Sequence, residues 1–214
     1  MPKSLSFPDL TWLLQSGANR VKANHELLSR LDSATGDGDH GIAMKRTADA
    51  ILDSVQGCET KAIAPLLEAV GWNVMSIDGG STGPLFGSFF MGMAAGAAGR
   101  DELDGPALAA VFEAGLSKLR AQTPANVGDK TLLDALAPAV EALRQAADQG
   151  QRLHEIFARA AEAAAHGAES TRDMQAKFGR ARNLGPRSIG HVDPGATSVS
   201  LLLAGFRDGL PAAP

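Results

Sequence analysis

The chain has 214 residues, of which 44% are hydrophobic and 5% aromatic, and its formal net charge is −4. This composition supports a sizeable core and excludes a disordered chain, while the scarcity of aromatic residues disfavours a β-sandwich. The mildly acidic charge excludes the basic surface that nucleic-acid binding requires. The single cysteine, Cys58, allows no intrachain disulfide and suits a reducing compartment. With neither a signal-peptide layout nor an apolar run of membrane-spanning length, we expect a soluble cytoplasmic protein.

Hydrophobic residues recur with helical spacing along most of the chain. The spacing predicts eight helices, at about residues 6–32, 40–57, 60–76, 84–93, 105–120, 131–147, 153–169 and from 194 onward. Pro65 favours a start of the third helix later than Thr60. No strand pattern is evident, and residues 171–189 indicate a long loop. We therefore predict one all-α domain over residues 1–214, an eight-helix antiparallel bundle or barrel.

Three carboxylates fall between the first two predicted helices, at Asp32, Asp37 and Asp39, within a glycine-rich stretch. Glycine lets this stretch fold tightly, so the three side chains are able to face one point. Carboxylates held together repel one another unless a cation lies between them, and an oxygen-only ligand set suits Mg²⁺. The alternative at this stage is a solvated Asp/Gly turn, which is common in proteins.

A second glycine-rich stretch, 79–84, precedes the fourth helix and carries the hydroxyls of Ser81 and Thr82. Free backbone N–H groups at a helix N-terminus attract anions, although a plain capped helix start explains the same residues. Further along, Lys130 is a candidate phosphate contact or a solvated charge. Thr131 and Asp134 resemble a capping box.

The four polar stretches all lie in alternate connections between the predicted helices. In an up-and-down arrangement, the first, third, fifth and seventh connections lie at the same end of the bundle. The four stretches 32–41, 79–84, 128–131 and 180–195 occupy those connections. We therefore predict one composite site that combines carboxylates, helix N-termini and basic residues, which are the parts that phosphoryl transfer uses.

These stretches resemble the nucleotide-binding L subunit of dihydroxyacetone kinase. The similar segments are 31–41, 79–87, 128–131, 187–191 and 193–196, in the family's order and over nearly the whole chain. The resemblance implies an eight-helix antiparallel barrel with ADP or ATP at one end. It also implies two Mg²⁺ ions held by Asp32, Asp37 and Asp39.

By the same resemblance, further residues have roles in nucleotide binding. The phosphate contacts are His40, Gly41, Ile42, Ala43, Ser81 and Thr82. Leu132 lines the adenine pocket, and Arg180 with Asp193, Pro194 and Gly195 closes the site. Ala43 stands where many relatives have asparagine. Arg182-Asn183 and Pro186 also depart from the family pattern, in a lid-like loop.

The resemblance also implies partners. The triose dihydroxyacetone is held on a separate K subunit, and a phosphocarrier M subunit of the phosphotransferase system recharges ADP in some relatives, whereas others use ATP. Two alternatives remain open: a kinase subunit for another short keto-sugar such as a tetrulose, and a nucleotide-loaded module that binds a transcription regulator. The sequence leaves the oligomeric state open, a homodimer included. A histidine next to a glycine at a helix start, such as His191, is more often a structural capping or packing residue.

Overall fold

The computed structural model describes residues 4–77 and 80–210, so the Asp78-Gly79 start of the second glycine-rich stretch lies outside the described residues. Within these ranges the chain forms nine α-helices: α1 (Phe7–Ala23), α2 (His25–Ser33), α3 (His40–Gln56), α4 (Ile63–Met75), α5 (Thr82–Gly96), α6 (Gly105–Arg120), α7 (Leu133–Asp148), α8 (Leu153–Ser170) and α9 (Pro194–Asp208). The all-α prediction is confirmed. Helix α4 begins at Ile63, later than Thr60, with Pro65 in its first turn.

The first predicted helix is broken into α1 and α2, which corrects the prediction of one helix over about residues 6–32. The break lies at Asn24, whose side-chain amide donates to the Arg20 carbonyl at 2.8 Å. The Asn24 backbone N–H bonds to Val21 O at 3.1 Å instead. Asparagine side chains compete in this way with the helical hydrogen-bond pattern.

Two further features depart from the predictions. A two-residue strand, β1 (Ser4–Leu5), pairs antiparallel with β2 (Leu103–Asp104), and Leu5 and Leu103 are both buried. The segment predicted as a long loop contains two 3₁₀ stretches, Thr171–Asp173 and Arg180–Ser188.

Eight of the helices form a closed barrel. From α3 to α9, each helix packs against the one that follows it in the chain. Helix α1 closes the ring, because it packs against both α3 and α9. Helix α2 packs outside this ring, against α3 and α9. The seam between α1 and α9 is very close, because a Cβ added at Gly205 would lie 2.5 Å from the Gly17 Cα. The predicted eight-helix antiparallel barrel is thus observed, with α2 as an addition to it.

The barrel interior is filled by apolar side chains. Phenylalanine rings from four helices meet edge to face with centroids 5.7 to 6.5 Å apart: Phe89, Phe90, Phe112, Phe157 and Phe206. Such pairs contribute about 0.5–1.5 kcal/mol each beyond burial. Within the described residues, none of the helices has the length and apolar character of a membrane span. The filled interior leaves one end of the barrel for the polar connections.

Candidate nucleotide and metal site

Four helices begin at the same end of the barrel. The first turns of α3, α5, α7 and α9 all contribute to one cavity of about 670 Å³, through His40, Thr82, Leu133 and Pro194. Each helix N-terminus carries a partial positive charge of about half an elementary charge. The predicted gathering of four connections is therefore observed, and this end of the barrel favours an anionic ligand.

The three aspartates converge at the mouth of this cavity. One carboxylate oxygen from each of Asp32, Asp37 and Asp39 lies within 4.8 Å of the others. Asp32 is at the end of α2 and accepts a hydrogen bond from the backbone N–H of His40 at 3.2 Å. Gly38 turns the intervening loop with a φ of 80°. An oxygen-only cluster of this kind, partly exposed to solvent, fits a hard divalent cation.

Arg180 contacts two of these carboxylates. Its guanidinium forms an ion pair with Asp37 and lies 3.7 Å from Asp39 Oδ2. The arginine belongs to the 3₁₀ segment before α9, so it reaches across the cavity mouth to the loop before α3. Its positive charge offsets the repulsion among the carboxylates, which is the same electrostatic role that a bound cation has.

The His40 ring joins three helices at the site. Its Nε2 lies 2.8 Å from Ser198 Oγ on α9, and the Ser198 hydroxyl donates to the Pro194 carbonyl at 3.0 Å. The ring therefore donates from Nε2 and accepts at Nδ1, which lies 3.4 Å from Thr82 Oγ1 on α5. Burial lowers the pKa of His40, so the ring is neutral near pH 7. A neutral His40 fixes α3, α5 and α9 relative to one another.

Asp193 has a capping role at α9. Its carboxylate accepts from the Ala196 backbone N–H at 2.7 Å, and its own N–H donates to Thr171 Oγ1 at 2.8 Å. Burial raises the pKa of Asp193 to about 7. The motif that carries Asp193, Pro194 and Gly195 is thus held by the end of α8 while it lines the cavity.

The loop before α7 differs from its prediction. Lys130, expected as a phosphate contact or a solvated charge, is buried and donates to the Thr171 carbonyl at 2.6 Å and to the His191 carbonyl. The predicted capping box is half formed: Asp134 accepts from Thr131 N at 2.7 Å, but the Thr131 hydroxyl accepts from Leu133 N. Asp134 also accepts from Gly128 N at 2.5 Å.

Most of the predicted site residues line the cavity. They are Asp32, Asp37, Asp39, His40, Ser81, Thr82, Leu132, Arg180, Asp193, Pro194 and Gly195. Gly41, Ile42 and Ala43 are not among the lining residues. Gly41 packs against α2, Ile42 is exposed, and the Ala43 N–H bonds to Asp39 O within α3. The Gly41 and Ile42 amides occupy helix positions without an intrahelical partner.

The cavity also holds residues that the sequence did not identify. Gln122 and Thr123 follow α6, while Phe178 and Gly179 belong to the segment between α8 and α9. The Thr123-Pro124 turn indicates a loop but not its position, and Phe178 has no local signal. Their place depends on contacts between distant parts of the chain.

Comparisons with known proteins agree with this geometry. The DAK2 domain model matches residues 34–208. The chain is 37% identical over 194 residues to the ADP-binding subunit DhaL of the PEP-dependent dihydroxyacetone kinase of Escherichia coli (strain K12), covering 91% of this chain and 92% of the relative. It is 33% identical over 178 residues to the D-erythrulose kinase of Mycolicibacterium smegmatis, covering 82% of this chain and 31% of that protein.

A solved structure shares the fold. The dihydroxyacetone kinase of C. freundii, in its native form, superposes with a TM-score of 0.74 at 24% identity, over 93% of this chain and 34% of that one. The family model covers most of the chain, and the E. coli relative is matched along nearly its full length. The chain therefore belongs to the DAK2 domain family and is similar throughout to a DhaL-type ADP-binding subunit.

Proposed function

We propose that this protein is the nucleotide-binding subunit of a dihydroxyacetone kinase. In this proposal it holds Mg²⁺ with ADP or ATP and positions the phosphates for transfer to dihydroxyacetone on a separate K subunit. The observation that carries the proposal is the convergence of three carboxylates beside four helix N-termini in one cavity. Carboxylates attract the cation, and the helix N-termini attract the phosphates.

Each part of the site has a role in this proposal. Asp32, Asp37 and Asp39 hold two Mg²⁺ ions, which would neutralise phosphate charge when bound. The Ser81 and Thr82 hydroxyls and the Gly41 and Ile42 amides donate to phosphate oxygens. His40 orients the first turns of α3 and α5 around the phosphates. Ala43 lies in the first turn of α3 and has no polar side chain to offer the nucleotide.

The remaining cavity residues bind the rest of the nucleotide. Leu132 packs against the adenine, and Asp193, Pro194 and Gly195 close the opposite side. Arg180 would hold phosphate oxygens in place of its carboxylate partners, since a guanidinium binds both groups. These assignments are supported by the shared cavity and by the order of the motifs in the chain.

The E. coli relative supports a particular phosphoryl donor. Its name describes an ADP-binding subunit of a PEP-dependent kinase, and this chain matches nearly the whole of that subunit. We infer that the protein works in the cytoplasm with a K subunit and a phosphocarrier M subunit that recharges bound ADP. ATP as direct donor is the alternative, and assays with ATP or with phosphoenolpyruvate and the M subunit distinguish the two.

Asp37→Asn tests the central claim. The substitution keeps the side-chain shape and removes one negative charge from the cluster, so Mg²⁺-dependent ADP binding is expected to fall below detection at micromolar protein. Asp101→Asn is the matched control, because Asp101 is exposed beyond the C-terminus of α5, at the other end of the barrel. Titration calorimetry with ADP, with and without Mg²⁺, measures both. Undiminished ADP binding by Asp37→Asn would contradict the proposal.

A second candidate substrate has support from relatives that are named erythrulose kinases. The D-erythrulose kinase of M. smegmatis shares 33% identity with this chain, although the chain spans less than a third of that protein. A four-carbon keto-sugar is therefore the alternative acceptor. Turnover of dihydroxyacetone and of the two erythrulose enantiomers by the assembled kinase separates them. The absence of turnover with every K subunit and sugar would instead favour a regulatory module.

A further inference from the structure

Lys130 is a charged side chain in an unusual position. It is 3% exposed, and its backbone φ is 59°, in the left-handed region that favours glycine. A non-glycine residue there is strained, because its Cβ lies too close to the following carbonyl oxygen. Glycine at this position would remove the strain, so the presence of lysine indicates that its side chain has a role.

The Lys130 ammonium is bound by two backbone carbonyls. It donates to Thr171 O at the end of α8 and to His191 O, two residues before Asp193. Lys130 is buried, so its charged form loses solvation, and this burial lowers the pKa of the ammonium. Desolvation offsets much of what such hydrogen bonds contribute to stability. These contacts are therefore better explained by the geometry that they impose on the two segments than by a contribution to stability.

These contacts connect two walls of the cavity. Leu132 lies two residues after Lys130, and a Cβ added at Gly195 would lie 3.4 Å from the Leu132 Cβ. Thr171 is a second link, since its hydroxyl accepts from Asp193 N. The Lys130 ammonium thus connects the loop that carries Leu132 to the segment that leads into α9.

The same loop anchors the segment that carries Arg180. Asp129 accepts from the Lys177 ammonium at 2.7 Å, and the Lys177 backbone N–H donates to the Asp129 carbonyl at 3.2 Å. The ion pair lowers the pKa of Asp129. Neighbouring residues of one short loop therefore hold the segment before α9 at both its start and its end.

We propose that Lys130 is a positioning residue for nucleotide binding, acting through Leu132 and through Asp193 to Gly195 rather than on the phosphates. The proposal rests on the proposed function, because it concerns the same cavity. It makes two claims: that the ammonium is needed for the arrangement of the two walls, and that its loss affects affinity in protein that is still folded.

Lys130→Met tests both claims, since it keeps the stem and removes the ammonium. Titration calorimetry with Mg²⁺ and ADP, well below the unfolding transition, should show affinity weakened by about tenfold or more. Hydrogen exchange of the nucleotide-free protein should show faster exchange at residues 191–195 and 171–177 than in wild type. Lys130→Gly, which relieves the backbone strain, should give the same loss of affinity with a smaller loss of stability.

Val70→Ala is the control for stability alone. Val70 is fully buried on α4 and does not line the cavity. This variant should unfold more easily than wild type with unchanged ADP affinity. A folded Lys130→Met protein that binds ADP within about twofold of wild type would overturn the proposal. Failure of both Lys130 variants to fold would also overturn it, in favour of a structural role.

The exchange measurement keeps the two proposals separate. If wild type binds no nucleotide, the proposed function fails. If hydrogen exchange at residues 191–195 of nucleotide-free Lys130→Met equals that of wild type, the positioning role fails, whatever the nucleotide measurement shows. If wild type binds ADP and the variants match it, only the positioning role fails.

Discussion

Gly41→Ala is expected to disturb the site through a single added methyl group. Gly41 is the second residue of α3, where that helix passes over α2. A Cβ at this position would overlap the His25 carbonyl oxygen and lie 2.7 Å from the Ser29 backbone nitrogen. Ordinary contact begins at 3.4 Å, so α3 must move from α2 by about 1 Å. Neither obstacle is the flexible end of a side chain.

The shift has two consequences. Overpacking between the helices is expected to lower the free energy of unfolding by about 1–3 kcal/mol. The displaced first turn also carries the His40 N–H, which bonds to Asp32 at 3.2 Å, and the amides proposed to hold phosphate. A displacement of about 1 Å costs on the order of 100-fold in a positioned site, and we expect a loss of that size in Mg²⁺–ADP affinity.

Two measurements check this prediction. Denaturant unfolding gives the change in stability, and titration calorimetry gives the change in affinity. Gly105→Ala is the control, because a Cβ there meets its nearest neighbours at 3.5 Å, an ordinary contact. It should alter stability by no more than about 0.5 kcal/mol and leave affinity unchanged. A Gly41→Ala protein with the stability and affinity of wild type would refute the close packing of α3 on α2.

Three further substitutions have expected outcomes. Arg180→Gln should strengthen the binding of Mg²⁺ alone, because the guanidinium no longer competes for Asp37, and it should weaken the binding of Mg²⁺–ADP. Calorimetry with each ligand measures both affinities. If the two affinities changed in the same direction, the proposed exchange of carboxylate for phosphate by Arg180 would be contradicted. Asp193→Asn keeps an acceptor for the α9 cap but removes a group whose pKa is raised from 3.8 to about 7. Wild type should therefore lose stability as pH rises from about 4 to about 7, since the unfolded state releases the proton first. Unfolding curves at about pH 5 and about pH 8 should show a loss of at most about 3 kcal/mol in wild type and no such loss in the variant; an equal pH dependence of the two proteins would count against this prediction. Gly205→Ala should open the α1–α9 seam and lower stability by about 1–3 kcal/mol, and an unchanged melting temperature would argue against that contact.

Local sequence signals predicted most of the fold because each helix has its own apolar stripe and its own turn residues. The carboxylate cluster was predictable for a similar reason. Asp32, Asp37 and Asp39 are close in the chain, and the intervening glycines permit the turn that brings them together. The parity of the connections then located the site, since antiparallel neighbours place alternate connections at one end.

Other features depend on contacts that local patterns do not contain. The β1–β2 pair has two residues in each strand, too few to show alternation. The break at Asn24 depends on one side-chain hydrogen bond to Arg20. The burial of Lys130 could not be predicted, because its carbonyl partners lie 41 and 61 residues further along the chain.

The close seam between α1 and α9 makes the order of synthesis matter. Helix α1 is synthesised before the other helices of the ring, and it meets its neighbour α9 only after α3 to α8 have been made. Until then the ring has a gap, and its polar end lacks the wall formed by Pro194 and Gly195. A nascent chain therefore has no finished cavity to offer a ligand, and closure of the ring and completion of the pocket occur as one late event.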